Sequence, residues 1–341
     1  MRVKGRLKVR KFAAILGLAM LVLAGCGGSS SGSSSSSKGT IAFSFGNETA
    51  GIYPLVANPA KKEAERRGYK FIQGAAGGKC EKQVQDIQNF IAQKVKAIVF
   101  LPLCGTDPYK NVIQQAKAAG IVVIGYSQSV PGGDAALTYD NIQGATDTAN
   151  YAIKWYQTAY TGDKAAFKWA LFTYDQCGRP CTERTDTLRS LVVKATGIKP
   201  LEAESVAEDT GLTVTQTLLQ KAPTLNMVLG INDAGALGAA KALSQQIAST
   251  GRDAKQVMVA GMDGQNDALQ LIANGGGPNG IYRASGAIVL TQLGQDVADL
   301  PINIIEGQPS SSILFPYTLL TVDDKAKIQS ILDQYNKFLK S

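Results

Sequence analysis

The sequence contains no histidine, and this absence excludes several classes of function. Histidine is the most common general base and the most common metal ligand near neutral pH. Ser–His–Asp triads and zinc sites built on histidine are therefore excluded. No glycine-rich phosphate loop stands in the sequence, and no two acidic residues have the context of a catalytic pair. We expect a protein that is not an enzyme and that needs no cofactor and no metal.

Acidic residues are also absent from the first eleven positions, which carry six basic side chains. The apolar run at residues 12–23 is shorter than the ~20 residues of a membrane-spanning helix. A basic segment before a short apolar run is typical of an export signal, and residues 1–25 are predicted to be one. Removing six of the 35 basic side chains and none of the 27 acidic ones lowers the net charge from +8 to about +2. No basic surface then remains to bind nucleic acid.

The apolar run ends in Leu23-Ala24-Gly25-Cys26, which resembles the lipobox of bacterial lipoproteins. The resemblance implies cleavage before Cys26 and attachment of diacylglycerol to its thiol. An ordinary secretory signal beside a chance cysteine is the alternative. Residues 27–38, almost all serine and glycine, predict a flexible tether that joins the lipidated cysteine to a folded domain. We expect an extracytoplasmic, membrane-anchored lipoprotein in the periplasm or on the cell surface.

Four further cysteines are present: Cys80, Cys104, Cys177 and Cys181. Outside the cytoplasm an even set of cysteines favours disulfides. Of the three possible connectivities we favour Cys80–Cys104 with Cys177–Cys181. A four-cysteine zinc site and free buried thiols are the alternatives, although the spacing lacks the paired C-x₂-C pattern of zinc ribbons.

From residue 39 onward, short β-branched apolar segments alternate with segments of helical periodicity. The first series of strands is predicted at 40–45, 69–73, 97–103 and 121–127, with helices at 58–67, 80–93 and 107–120. The second series of strands is predicted at 168–174, 201–205, 227–231, 257–262 and 281–284, with helices at 182–196, 212–221, 234–247 and 265–273. Residues 314–321 and a terminal helix complete the chain. Near-continuous apolar strands between amphipathic helices predict α/β lobes, each a doubly wound parallel sheet. Ligands of such sheets bind at the carboxyl ends of the strands.

Four motifs, in their order and spacing, resemble the ribose-binding-protein family of type I periplasmic solute-binding proteins. They are Thr138-Tyr139-Asp140-Asn141, Glu183-Arg184, Asn232-Asp233-x-x-Ala236-Leu237-Gly238-Ala239 and Gly261-Met262-Asp263-Gly264. The resemblance implies two lobes joined by a three-strand hinge, with a ligand cleft between them. The first lobe is then expected at 39–141 plus 286–315, and the second at 142–285 plus 316–341. Asp140 and Asn141 are expected in the hinge, with further crossings near Ser285 and near 315–317.

The family binds its ligands with strand-end loops of both lobes. Matched by position, the second lobe supplies Arg184, Asn232 and Asp263, whose guanidinium, amide and carboxylate suit sugar hydroxyls. Other roles remain open for these residues. Arg184 could be solvated at the start of a helix, and Asn232 and Asp263 could be helix caps.

The first lobe departs from the ribose pattern. Tyr53 alone remains to stack on a sugar face, Ser127 and Gln128 replace an Asp-Arg pair, and Leu101 replaces an asparagine. The other candidate ligand contacts are Asn47, Glu48, Tyr126 and, from the second lobe, Ser285. Core packing for Tyr53 and ordinary turn roles for Asn47 and Glu48 are the alternatives. This neutral first lobe favours another sugar, a polyol or a less hydroxylated solute over ribose.

The expected function is that of a monomeric, lipid-anchored solute-binding protein. It would bind a small sugar or polyol, close by hinge bending and deliver the solute to an ABC permease in the inner membrane. The alternative is a sensor that presents the closed form to a chemoreceptor or a sensor kinase. A transcriptional repressor of related fold is excluded, because an export signal occupies the place of its helix-turn-helix.

Changing Cys26→Ser tests the lipid anchor. We expect the variant to lose incorporation of radiolabelled palmitate and to leave the membrane fraction, because serine has no thiol to carry diacylglycerol. Cys104→Ser is the matched control and should keep the label. Equal labelling of the wild type and of Cys26→Ser would instead indicate an ordinary secretory signal.

Overall fold

The computed structural model describes residues 37–48 and 50–340. The predicted signal peptide, Cys26 and most of the tether lie outside the described residues. The strands are β1 (Thr40–Ser44), β2 (Lys70–Gln73), β3 (Ala97–Phe100), β4 (Val122–Ser127), β5 (Ala135–Tyr139), β6 (Lys168–Thr173), β7 (Leu201–Glu204), β8 (Leu225–Gly230), β9 (Met258–Asp263), β10 (Tyr282–Ala287), β11 (Ile313–Phe315) and β12 (Thr318–Thr321). The helices are α1 (Tyr53–Arg66), α2 (Cys80–Ala92), α3 (Lys110–Ala118), α4 (Asn141–Thr158), α5 (Arg179–Thr196), α6 (Glu208–Lys221), α7 (Asp233–Thr250), α8 (Asn266–Ala273), α9 (Leu290–Ile305) and α10 (Lys325–Leu339).

Two six-stranded sheets form the centres of two lobes. The first sheet has the order β11-β5-β4-β3-β1-β2, and the second has the order β12-β10-β9-β8-β6-β7. All pairs in the first sheet are parallel. Strands β3 and β8 are buried along their whole length, which explains why they appear in the sequence as continuous apolar runs. The predicted fold class, two doubly wound α/β lobes, is confirmed.

The second sheet is not wholly parallel, and this corrects the sequence prediction. Its last strand, β12, pairs antiparallel with β10. Residues 314–321, predicted as one segment, form two strands in different sheets. Pro316 and Tyr317 separate them, and proline has no N–H to donate to a ladder at this point.

The start of the first helix was also predicted wrongly. The prediction began it at residue 58, but α1 begins at Tyr53 with Pro54 in its first turn. Proline suits this position because the first amide groups of a helix have no intrahelical acceptor. Pro59, near the start of the predicted helix, lies inside the observed one. The early start places Tyr53 at the first helical position, beside the strand ends.

The chain passes between the two sheets at three crossings. Asp140 separates β5 from α4, Ile288 and Val289 separate β10 from α9, and Pro316 with Tyr317 separates β11 from β12. Asp140 and Asn141 therefore lie at the first crossing, as expected. The crossing expected near Ser285 falls later, because β10 continues to Ala287.

The terminal helix contacts both lobes. It packs against α8 of the second lobe and against α1 of the first, and the Asn58 side chain donates a hydrogen bond of 2.8 Å to the carbonyl of Phe338. Among the helices of residues 37–48 and 50–340, none is long and apolar enough to span a bilayer.

The structure contains the two disulfides that the sequence analysis favoured. Cys80 pairs with Cys104, with 6.0 Å between their Cα atoms, and Cys177 pairs with Cys181 at 5.9 Å. Each bond stays within one lobe. The first fixes the start of α2 to the loop after β3, and the second encloses the start of α5.

Candidate functional site

The Arg184 guanidinium is the centre of a buried polar cluster between the two sheets. Arg184 lies on α5 and is only 7% exposed. Its Nη1 donates to the Ile231 carbonyl at 2.7 Å and to Asp263 Oδ1 at 2.8 Å. Its Nε donates to Asn141 Oδ1 at 2.8 Å, and its Nη2 donates to the Tyr317 hydroxyl. The alternative that Arg184 is a solvated residue at the start of a helix is therefore wrong.

Asp263 ends β9 in a strained backbone conformation. Its φ is +104°, and that of the following Gly264 is +75°. A non-glycine residue rarely adopts positive φ, which costs on the order of 1–3 kcal/mol and is concentrated at functional sites. Burial raises the pKa of the Asp263 carboxyl, and the adjacent Arg184 opposes that shift. The ion pair leaves Asp263 Oδ2 free of the bond to Arg184 and available for a further donor.

The first lobe brings aromatic rings to this cluster. Tyr126, on β4, packs edge-on against Phe43 and Phe45 with centroids 5.7 Å apart and against Tyr139 at 6.0 Å. Its hydroxyl is buried and has no hydrogen-bond partner of good geometry among the described residues. Burial raises the pKa of Tyr126, and the Asp263 charge adds to this rise. A buried donor without a partner is costly, so this hydroxyl is a candidate ligand contact.

Ser127 and Gln128 follow Tyr126 at the end of β4. Ser127 has a φ of +68°, so Ser127 and Asp263 are two of the three non-glycine residues with positive φ in the described chain. Gln128 Nε2 lies 3.5 Å from the carbonyl of Cys177, which belongs to the second lobe. Gln128 therefore contacts the disulfide loop across the boundary between the lobes.

Tyr53 and the loop before it form the outer part of the first lobe's contribution. The Tyr53 ring lies 5.6 Å from Phe45, and its hydroxyl donates to Gln73. Burial, with a smaller contribution from the charge of Glu48, raises the pKa of Tyr53 to about 12. Asn47 lies exposed in the loop after β1. For Tyr53 and Asn47, the role of ligand contact stays a prediction.

Three other candidates have internal partners. Glu48 accepts hydrogen bonds from the amides of Ala76 and Gly77, which fixes a loop. Asn232 caps α7, because its Oδ1 accepts from Gly235 N at 3.0 Å while its Nδ2 donates to the Val206 carbonyl. Asn232 therefore has the helix-capping role that the sequence analysis gave as the alternative.

Ser285 is the third of these candidates and is fully buried. Its hydroxyl donates to Asp233 Oδ2 at 2.8 Å and accepts from the amide of Gly264 at 3.2 Å. The site proposed below therefore omits Glu48, Asn232 and Ser285.

Asp233 is an important residue that sequence reasoning did not select. It is fully buried at the first position of α7. Its Oδ1 accepts from the Tyr282 hydroxyl at 2.7 Å, and its Oδ2 accepts from the amide of Gln265 at 2.8 Å. Burial, and then the charge of Asp263, raises the pKa of Asp233 to about 7. The signal in the sequence was an acidic residue in the first turn of an apolar helix, which is also an ordinary helix-dipole feature.

Asn141 and Tyr317 were expected only as parts of the hinge, but both contact Arg184. The second crossing is bonded to the cluster as well, since the amide of Ile288 donates to the carbonyl of Asp263 at 3.4 Å. The polar cluster is therefore bonded to all three crossings. A single cation, a neighbouring carboxylate and neutral phenols can hydrogen-bond the hydroxyl groups of an uncharged molecule.

This arrangement defines a class of protein: a two-lobed α/β binding protein whose polar residues converge between its lobes. The chain belongs to the periplasmic binding protein family, whose profile, described as a periplasmic binding protein domain, matches residues 41–300. The family predicted from the four motifs is thereby confirmed. The relatives are binding proteins of importers and not enzymes.

Two curated relatives are similar in sequence. The ribose import binding protein of Bacillus subtilis is 27% identical over 236 residues, which cover 68% of this chain and 72% of that protein. The D-apiose import binding protein of Actinobacillus succinogenes is 27% identical over 240 residues, covering 66% and 70%.

Two solved structures share the fold. A solute-binding protein of an ABC transporter from Bacillus halodurans, with bound myo-inositol, superposes with a TM-score of 0.74 at 19% identity and covers 87% of this chain and 99% of its own. The arabinose-binding protein of a Shewanella ABC transporter, bound to L-arabinofuranose, has a TM-score of 0.74 at 20% identity, covering 89% and 98%.

The raised pKa of Asp233 predicts a pH dependence of stability. A carboxyl whose folded-state pKa exceeds its unfolded value stabilises fully below the unfolded pKa of about 4, and this contribution is lost as pH rises through about 7. We expect the unfolding free energy of the wild type to fall relative to that of Asp233→Asn by about 1.4 kcal/mol per unit between pH 5 and 7. Urea unfolding at pH 5, 6, 7 and 8 measures this difference.

The control for this prediction is Asp333→Asn on the exposed face of α10. Its unfolding free energy should follow that of the wild type at every pH. Parallel curves for the wild type and Asp233→Asn would contradict the raised pKa.

Proposed function

We propose that this chain is the extracytoplasmic solute-binding protein of an ABC importer and that it binds a small sugar or polyol between its lobes. The observation that carries the proposal is the convergence of Arg184 and Asp263 from the second lobe with the buried, unpartnered hydroxyl of Tyr126 from the first. Contacts from both lobes make the closed arrangement depend on the solute, which a transport partner can recognise.

The charges of the site favour an uncharged solute. The guanidinium of Arg184 already pairs with Asp263 at 2.8 Å, so the pair has no excess charge for an anion or a cation to neutralise. Both groups can bind neighbouring hydroxyls, and such charge-assisted bonds contribute roughly 1.5–3 kcal/mol each. Ribose, D-apiose, myo-inositol and L-arabinofuranose, the solutes named for the relatives, are all neutral and polyhydroxylated.

The first lobe suits the less polar face of such a solute. Its contribution is aromatic. The ring of Phe45 packs against Tyr53, with centroids 5.6 Å apart, and against Tyr126, with centroids 5.7 Å apart. Aromatic rings pack well against the C–H face of a sugar ring. Ser127 and Gln128 at the rim complete the proposed set of first-lobe contacts, together with Asn47.

The remaining parts of the proposal concern movement and location. The lobes open and close by bending at the three crossings, where Asp140 and Asn141 lie, and the closed form docks on a permease in the membrane. Cys26 carries the lipid anchor, and residues 27–38 allow the monomer a reach of about 40 Å from the surface when extended. The family to which the chain belongs is extracytoplasmic, which supports this location.

A panel of solutes tests the proposed function. Native mass spectrometry of the purified protein, followed by thermal shifts with D-ribose, D-xylose, L-arabinose and myo-inositol, should reveal binding of at least one at micromolar affinity, about 8 kcal/mol. Arg184→Met should abolish the shift, because it removes the charge but keeps much of the side-chain volume. No shift across the panel, and no co-purified neutral solute, would contradict the proposal.

Tyr126→Phe separates ligand binding from stability. Because the hydroxyl has no hydrogen-bond partner of good geometry among the described residues, we expect the variant to unfold at the same or a higher urea concentration. Its affinity for the bound sugar should fall about three- to tenfold, the value of one neutral hydrogen bond. Calorimetric titration measures the affinity.

Tyr109→Phe is the matched control in the same lobe. The Tyr109 hydroxyl lies 3.1 Å from the amide of Leu103 and donates to Gln83 Oε1. This variant should lose stability and keep its affinity. The opposite pattern in the two variants would exclude Tyr126 as a ligand contact.

A further inference from the structure

Asp233 joins three separate elements of the second lobe. It is the first residue of α7, it accepts from Tyr282 and Ser285 on β10, and it accepts from the amide of Gln265 in the turn after β9. Each carboxylate oxygen accepts at least one bond, at 2.7–2.8 Å. Gly261 leaves the room for this contact, since a Cβ there would overlap both Asp233 Oδ1 and the Tyr282 hydroxyl.

The same network holds the turn that carries Asp263. Asp263 and Gly264 both have positive φ. The two backbone amides that follow Asp263, those of Gly264 and Gln265, each have an acceptor in the network. Gly264 N donates to the Ser285 hydroxyl at 3.2 Å, while Gln265 N donates to Asp233 directly. Ser285 itself donates to Asp233, so both restraints on the turn depend on one buried carboxylate.

On the other side of the turn, the terminal helix and the second crossing take part. The Tyr335 hydroxyl lies 3.2 Å from the carbonyl of Gly264 and 3.4 Å from that of Ile288. Ile288 N in turn donates to the carbonyl of Asp263. The turn is therefore restrained on its inner side by Asp233 and on its outer side by the crossing between β10 and α9.

We propose that Asp233 is a positioning residue: it holds the Asp263–Gly264–Gln265 turn in its strained conformation, and so aims the Asp263 carboxylate at Arg184 and at the solute. A strained turn persists only when its surroundings determine it fully. Without the acceptor at Asp233, the Gln265 amide loses its partner and the turn relaxes. The part of this inference that concerns the solute rests on the proposed function, whereas the restraint on the turn does not.

The experiment compares Asp233→Ala, Asp233→Asn and Asn226→Ala with the wild-type protein. Asp233→Asn keeps an oxygen for the Gln265 amide and can direct its NH₂ group to the Tyr282 oxygen. Asn226→Ala is the matched control, because Asn226 is buried in the same lobe and also ties two segments, accepting from Lys168 N and donating to the Gln256 carbonyl. It lies near the start of β8, and both of these hydrogen bonds go to residues outside the Asp263 turn.

The first measurement needs no solute. Amide hydrogen exchange, followed by NMR, should be at least about tenfold faster at Gln265 in Asp233→Ala than in the wild type. Asp233→Asn should restore most of the protection, and Asn226→Ala should leave Gln265 unchanged. Unchanged exchange at Gln265 in Asp233→Ala overturns the inference, whatever the solute does.

The second measurement is the calorimetric affinity for D-ribose, L-arabinose and myo-inositol. Asp233→Ala should weaken binding about tenfold or more, and Asp233→Asn should recover it to within about threefold. Asn226→Ala should lower the midpoint of thermal unfolding without weakening binding. Equal weakening by Asn226→Ala and Asp233→Ala would reduce Asp233 to a general structural role and overturn the inference.

The two measurements separate the two proposals. Binding of a sugar by the wild type with unaltered affinity in Asp233→Ala overturns the positioning role and leaves the proposed function intact. No binding of any panel solute by the wild type and no co-purified neutral solute, together with faster exchange at Gln265 in Asp233→Ala, contradicts the proposed function and still supports the restraint on the turn.

Discussion

The burial of Arg184 is the constraint on which the site and the crossings both depend. A guanidinium removed from water costs several kcal/mol unless its N–H groups find partners. Here the partners come from the start of α4, from the β11–β12 crossing and from the end of β9. The charge is tolerated only where these three elements meet. Two of them, the start of α4 and the β11–β12 crossing, also join the lobes, so the interaction that holds the site together also ties it to two of the three crossings.

The two lobes contribute different chemistry. Arg184 and Asp263 both belong to the second lobe, so their ion pair does not depend on a residue of the first lobe. The first lobe contributes aromatic rings and the buried Tyr126 hydroxyl. Under the proposed function, the second lobe therefore presents a preformed polar surface to an arriving solute. The first lobe then supplies apolar packing, which stabilises the closed form because it excludes water from the ion pair.

The sequence predicted the lobes, the family and the positions of most strands along the chain, because buried parallel strands and the motifs around Arg184 and Asp263 are local features. It could not predict which partners those residues have. Asn232 has the same pattern whether it caps a helix or binds a ligand, and only the direction of its amide separates the two roles. Asp233 was missed because its partners lie 32, 49 and 52 residues away along the chain, and no sequence period reports such contacts.

Ser127 and Asp263 occupy corresponding positions in the two lobes, and both have a strained backbone conformation. Each residue ends the third strand of its sheet, β4 in the order β11-β5-β4 and β9 in the order β12-β10-β9, and each has positive φ. The same strained backbone conformation thus occurs at the corresponding strand end of each lobe. An acidic residue occupies only one of the two positions, and the buried Arg184 already balances it. Had both positions carried an acid, the site would hold an excess negative charge and would suit a cation. Under the proposed function, serine in the first lobe leaves these two positions without excess charge, which suits a neutral solute.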